Sequence, residues 1–214
     1  MLASTSILVF GFVLGMRHAL DPDHVVAVTT IVSRRRTVLS AGAIGAQWGV
    51  GHTLTILFVG GAIVLFRITV PPRLGLGLEM GVAVMLVVLG VMNLSRAANR
   101  VADSGARPMV VGFVHGLAGS AAVALLVLTA TVADAPLLAL AYLLQFGLGT
   151  IAGMFLVTVA IALPSVLAVH RFAGAQRWLR VASGAASIAF GLFLAHQIGF
   201  EDGLFTATPE WSPK

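Results

Sequence analysis

The chain has 214 residues, of which 58% are hydrophobic and 10% charged, and its mean hydropathy is +1.01. Soluble domains carry about 25% charged residues, so this composition excludes a soluble enzyme and points to a polytopic membrane protein. The net charge of +5 comes from short arginine clusters between apolar runs, which is membrane topology and not a nucleic-acid footprint, and the lack of cysteine excludes disulfides and thiol-based electron transport.

A helix needs about 20 apolar residues to cross the hydrocarbon core. On that measure the fold class is an all-α membrane protein with six transmembrane helices, at roughly 4–32, 41–66, 76–95, 109–133, 136–163 and 180–199. No basic segment precedes the first apolar run, so no cleaved signal peptide is expected. The first span contains Gly15-Met-Arg-His-Ala-Leu-Asp-Pro-Asp-His24, which sets two histidines, two aspartates and an arginine inside an apolar run. Ionisable residues at such depth are costly and usually have a functional partner. Pro22 lacks a backbone N–H and biases Asp21 away from helical dihedrals, so the helix is expected to break near it. On an unbroken helix His18 and His24 would stand about 240° apart at 100° per residue. A break lets both imidazoles and the Asp23 carboxylate turn to one point, and imidazole with carboxylate suits nickel, cobalt or zinc. The plainer alternative is a surface turn in which Asp21 or Asp23 caps the next helix; it accounts for neither histidine.

In the second span His52 lies beside Gly49 and Gly51 and is a pathway candidate, with Gln47 and Thr53 weaker ones because amides and hydroxyls also serve helix packing. Glu79 opens the third span as an N-terminal helix charge. His115, near the start of the fourth, either supports the metal ligands or lines the exit path, or else is an interfacial residue that hydrogen-bonds locally. His170 and His196 read as surface residues, Trp48 as packing, Trp178 as an interfacial anchor and Trp211 as tail.

Arg34, Arg35 and Arg36 follow span one, Arg96, Arg100 and Arg107 span three, and Arg171, Arg177 and Arg180 surround the junction after span five. The positive-inside rule then puts these clusters in the cytoplasm and both termini outside, in a cell inner membrane. The halves also repeat. Gly11-Phe-Val-Leu-Gly15 recurs as Gly112-Phe-Val-His-Gly116, Gln47-Trp-Gly-Val-Gly51 as Gln145-Phe-Gly-Leu-Gly149, and Leu78 to Gly90 aligns with Leu179 to Gly191, each about 100 residues on. Three spans per repeat force opposite insertion, so two inverted three-helix repeats are expected, with a site on broken helices near the midplane. The division is 1–95 for the first repeat and its metal motif, 96–108 for a cytoplasmic linker, 109–199 for the second repeat and 200–214 for a polar tail.

The run His18-x-x-x-x-Asp23-His24 resembles the signature of the nickel/cobalt transporter family (NiCoT). The longer form from Arg17 to Val28, and Gly112-Phe-Val-His-Gly-Leu-Ala-Gly-Ser120, look most like its shorter, urease-accessory-type relatives. Gly51-His52-Thr53 is similar to a Gly-His-Ser/Thr segment of the same family. The large transporters continue the first motif with Asp-Asn, where this chain has Thr29-Thr30. The resemblance implies a metal site on His18, Asp23 and His24, with His52 reaching in; Asp21 either joins it or caps the next half-helix, and His115 is a further candidate beside the metal. It implies Ni²⁺ or Co²⁺ as a substrate and no permanently bound cofactor.

The expected activity is therefore a secondary permease for Ni²⁺ or Co²⁺, its partners the metal ion and membrane lipid, with the oligomeric state left open. No Walker motif appears, so no ATP hydrolysis is expected from this chain. Uptake is favoured over efflux because no His-rich cytoplasmic loop is present. A metal sensor or accessory protein for a nickel enzyme would share every site residue. An intramembrane serine protease of the rhomboid type would need glycine at 118 and 121 around Ser120, and both positions are alanine, so the chain is not expected to be an enzyme.

Overall fold

The structure is a computed structural model that describes residues 2–33, 35, 37–66, 70–95, 107–117, 135–172 and 174–211. Among these residues it contains seven helices and no strand: α1 (Leu2–His18), α2 (Pro22–Val32), α3 (Val38–Phe66), α4 (Pro72–Leu94), α5 (Arg107–Gly116), α6 (Pro136–Arg171) and α7 (Ala175–Glu201). Helix α3 passes through a π turn at Ile56–Gly60, and α7 ends in another at Gln197–Glu201. Among the described residues, four helices are long and apolar enough to cross a membrane, namely α3, α4, α6 over Pro136–Val169, and α7. They coincide with the second, third, fifth and sixth expected spans. Of the stretch 109–133 only α5 is described, so most of that span, Ser120 included, lies outside the described residues, as does most of the 96–108 linker.

The first expected span is two helices. After His18 the chain tightens, with Leu20 N–H donating to Arg17 O at 2.9 Å and Asp21 N–H to His18 O at 3.0 Å. Pro22 then opens α2 at a position where its missing N–H leaves no carbonyl unpaired. Helix boundaries move outward from the expected ones for similar local reasons. Pro72 starts α4 four residues early at a favourable first-turn site. Gly174, with φ of +86°, releases α7 at Ala175 instead of 180. Helix α6 runs through Pro164 to Arg171 and not to 163; the Ser165 hydroxyl donates to Ile161 O at 2.9 Å just where proline interrupts the ladder.

Packing is inside-out relative to a soluble protein. Large apolar side chains such as Phe10, Phe58, Val84, Leu144 and Leu192 are exposed, whereas histidines, threonines, serines and Asn93 are buried. Glycines set the close approaches, as small residues do between membrane helices. Helix α1 lies along α6, where Gly15 meets Phe146 and Thr150 and Gly149 meets Phe12 and Met16. Helix α3 lies along α5, where Gly51 meets Met109 and Phe113 and Gly112 meets Trp48. Helix α3 also crosses α6, with Gly49 against Ile151 and Gly147 against Thr53. Helices α4 and α7 pair through Gly90 on Gly184 and Ile188, and Gly191 on Ala83 and Val87.

Helix α2 sits centrally, with Ala27, Val28 and Val32 in one apolar cluster with Ala41, Trp48, Val82, Leu86, Met154 and Ala162. Its far end is tied to α4 and α7 by polar contacts. The Asn93 amide lies 3.2 Å from Ser33 Oγ, 3.1 Å from Arg180 O and 3.0 Å from Ser183 Oγ, and the Thr30 hydroxyl reaches Ser183 O at 3.2 Å. The two half-helices therefore rest on different neighbours, α1 on α6 and α2 chiefly on α4 and α7.

The C-terminal region is not a free tail. Leu204 and Phe205 N–H groups donate to Ile198 and Gly199 carbonyls at 3.1 Å, and the Trp211 ring covers Gly75. The indole N–H of Trp211 donates to Glu79 Oε1 at 2.9 Å. Glu79 thus anchors the returning chain and is not an N-terminal helix charge, because α4 begins at Pro72 and its first turn holds no acidic residue.

Candidate metal centre

Four histidines from four helices meet where the first span breaks. His18 closes α1, His24 lies in the first turn of α2, His52 lies one turn before the π segment of α3, and His115 lies near the end of α5. None is more than 8% exposed. Ring centroids are 4.6 Å apart for His18 and His24, 5.1 Å for His18 and His52, 5.2 Å for His24 and His52, and 4.3 Å for His24 and His115. One nitrogen each from His18, His24 and His52 falls within a 4.8 Å set, and so do ligand atoms of Asp23, His24 and His115.

Two of the rings are held through Nδ1 by a nearby carboxylate, His18 by Asp21 and His24 by Asp23. His18 Nδ1 is 2.6 Å from Asp21 Oδ2, and its Nε2 stands 3.1 Å from His52 Nε2. An imidazole that donates Nδ1–H to a carboxylate keeps Nε2 as a lone pair, the arrangement that orients metal-binding histidines. Asp21 precedes α2 at its cap position but makes no side-chain cap bond, because that carboxylate is turned back to His18. Asp23 Oδ1 accepts from the His24 backbone N–H at 2.9 Å and lies 3.2 Å from His24 Nδ1, while its Oδ2 is 3.0 Å from His115 Nε2. Asp23 in the first turn also complements the positive end of α2.

Buried side-chain nitrogens are ordinarily hydrogen-bonded. Here His24 Nε2, His52 Nδ1 and His115 Nδ1 are all buried without a partner among the described residues. The nitrogens that these rings turn toward one another, with the Asp23 carboxylate beside them, form a donor set matched to a borderline divalent cation.

Gln47 and Thr53 stand apart from these rings. Gln47 is exposed, and the Thr53 hydroxyl donates to Gly147 O at 3.0 Å as a tie between α3 and α6. His196 is exposed, as is Trp178, and the His170 side chain lies outside the described residues. Trp48, which reads as packing in the sequence, and Phe146, which carries no individual reading there, both stand beside the histidines. Trp48 lies 6.3 Å from the His24 ring and 5.6 Å from His115, and Phe146 lies 5.4 Å from His18. They are counterparts in the repeated Gln-aromatic-Gly segments, a signal that could have marked both as walls of the site.

No family model matches the chain, and no solved structure does. Among characterised proteins, the urease accessory protein UreH of Bacillus sp. (strain TB-90) is 32% identical over 219 aligned positions, covering 94% of this chain and 95% of UreH. The alignment runs nearly end to end, as the motif from Arg17 to Val28 and the helical, apolar architecture would require of a relative. The chain therefore belongs to the nickel/cobalt transporter family, among its shorter, urease-accessory-type members.

Proposed function

We propose that this protein is a secondary permease that carries Ni²⁺ or Co²⁺ through the centre formed by His18, Asp23, His24 and His52. The observation that carries the reading is the convergence of three buried imidazoles from α1, α2 and α3 at a helix break, with His24 Nε2 buried and unpartnered among the described residues. Neutral imidazoles provide borderline donors, and Asp23 offsets part of a dication's charge at a depth where an unpaired charge is costly. Membrane potential alone supplies a driving force of about 4.6 kcal/mol for a dication per 100 mV, from roughly 2.3 per charge.

Six spans in two inverted repeats are part of the same proposal. The glycine contacts support it, because they are exchanged between the two halves. Gly49 meets Ile151 as Gly147 meets Thr53, and Gly90 meets Gly184 and Ile188 as Gly191 meets Ala83 and Val87. Each partner is the counterpart of the other about 100 residues on. A two-fold axis in the membrane plane produces such pairings, and transporters of this plan bind substrate at the repeat interface. Both termini then face outward from an inner membrane, with the arginine clusters in the cytoplasm, and uptake is the favoured direction.

The word "accessory" in the name of the UreH relative supports a second reading, in which the chain delivers or senses nickel for a metalloenzyme without net transport. Proteoliposomes holding the purified protein separate the two when ⁶³Ni²⁺ and ⁵⁷Co²⁺ uptake is followed under an imposed potential. The permease reading expects saturable flux that vanishes in His24→Ala and Asp23→Ala and persists in His196→Ala. Saturable binding without flux would assign the accessory role instead.

A further inference from the structure

We propose that the centre offers two alternative metal positions that share His24, one on each nitrogen of its ring, and that the ion passes from one to the other around that ring. The inference rests on the metal reading above and deepens it. His24 is the one residue common to both candidate ligand groups, His18–His24–His52 and Asp23–His24–His115. Its Nδ1 faces the Asp23 carboxylate at 3.2 Å, so the nitrogen left for the three-imidazole group is Nε2, which is buried and has no partner among the described residues. The first position therefore takes Nε2 of His24 with His18 and His52, whose Nε2 atoms are 3.1 Å apart. The second takes Asp23, His24 Nδ1 and His115 Nε2, which is already 3.0 Å from Asp23 Oδ2.

The two positions differ in kind. The first is three neutral nitrogens, braced from behind by Asp21 on His18 Nδ1. The second holds a carboxylate and lies toward α5, with the Trp48 ring against both His24 and His115. A neutral imidazole has one lone pair and one N–H. An ion on Nε2 leaves the proton on Nδ1, and an ion on Nδ1 requires it on Nε2, so the ring serves one position at a time. Two dications on opposite sides of one ring would also repel strongly in a low-dielectric interior. Occupancy is then one ion in total, and His115 is a ligand of the second position, not only a brace for Asp23.

The test uses the full-length protein in detergent and in proteoliposomes, with Co²⁺ as the probe. Equilibrium dialysis gives stoichiometry, the visible absorption of bound Co²⁺ reports its ligand set, and ⁵⁷Co²⁺ flux reports transport. The wild type is expected to bind one Co²⁺. His52→Ala and His115→Ala are each expected to keep one-equivalent binding with different absorption spectra, and each to lose at least about tenfold in flux, the lower end of what losing one partner around a metal costs. Removing both rings, or His24 alone, is expected to abolish binding. His115→Gln keeps a donor for Asp23 but offers no imidazole, so it is expected to stay as slow as His115→Ala. Recovery of flux by His115→Gln, loss of all binding in His52→Ala, or two Co²⁺ bound at once in the wild type would each overturn the proposal while leaving a metal centre in place. Failure of the wild type to bind Co²⁺ or Ni²⁺ at all would remove the metal reading itself.

Discussion

Substitution of Gly15 by alanine tests whether the contact of α1 with α6 sets the metal geometry. A Cβ at Gly15 would collide with the Phe146 carbonyl oxygen and lie 2.9 Å from Thr150 N. Both atoms belong to helix backbone and cannot rotate aside, so α1 and α6 must part by about 1 Å, and overpacking of this kind costs about 1–3 kcal/mol. His18 lies three residues on, at the end of the same helix. Its Nε2 then shifts by more than the ~0.2 Å that a metal–ligand distance tolerates. Disturbing the support of a ligand typically weakens metal affinity about 10- to 100-fold, which is the loss expected for Gly15→Ala in Co²⁺ binding by equilibrium dialysis. Gly77→Ala and Gly81→Ala are the controls, since a Cβ at either meets nothing within 4 Å among the described residues. Gly15→Ala that folds and binds Co²⁺ within about twofold of wild type, a difference of only about 0.4 kcal/mol, would refute the claim that this interface positions His18.

Acidification is expected to weaken Co²⁺ binding and slow uptake, because a protonated imidazole cannot coordinate and each proton competes with the ion; flux that rises as pH falls from 7.5 toward about 5.5, across the ordinary histidine range, would contradict imidazole ligation. Replacing Asn93 by leucine leaves Ser33 Oγ, Ser183 Oγ and the Arg180 carbonyl without their shared donor. It is expected to cost about 1–3 kcal/mol, seen as a lower thermal midpoint, and to slow flux more than it weakens binding, since it loosens α2 at the end remote from the ligands. Reporter tags after Arg36, Arg100 and Arg177 are expected to read cytoplasm and both termini outside; a cytoplasmic C-terminus with an external N-terminus would overturn the even span count.

What the sequence determined was whatever depends on local chemistry. Apolar run lengths mark the four long helices because burying backbone in lipid demands complete internal hydrogen bonding. The break at Pro22 is legible because a missing N–H and a steric restriction act within one residue of the proline. The motif from His18 to His24 is likewise local. What only the tertiary structure decided was which faces meet. Helix α3 is apolar on all sides, so neither spacing nor periodicity tells that Trp48 and His52 turn inward while Gln47 is exposed. His115 lies more than 90 residues from Asp23 in the chain and reaches it only because Gly112 and Gly116 seat α5 against Trp48 and His52 of α3. Asp21 is a cap by its position and a brace for His18 by its contact, a choice made by the tight turn that brings the two together. Glu79 and Trp211 meet across most of the chain for the same reason. In a bundle whose helices are all apolar, the hydrophobic pattern that normally assigns an inner face is weak, and close glycine contacts and sparse polar pairs decide it instead.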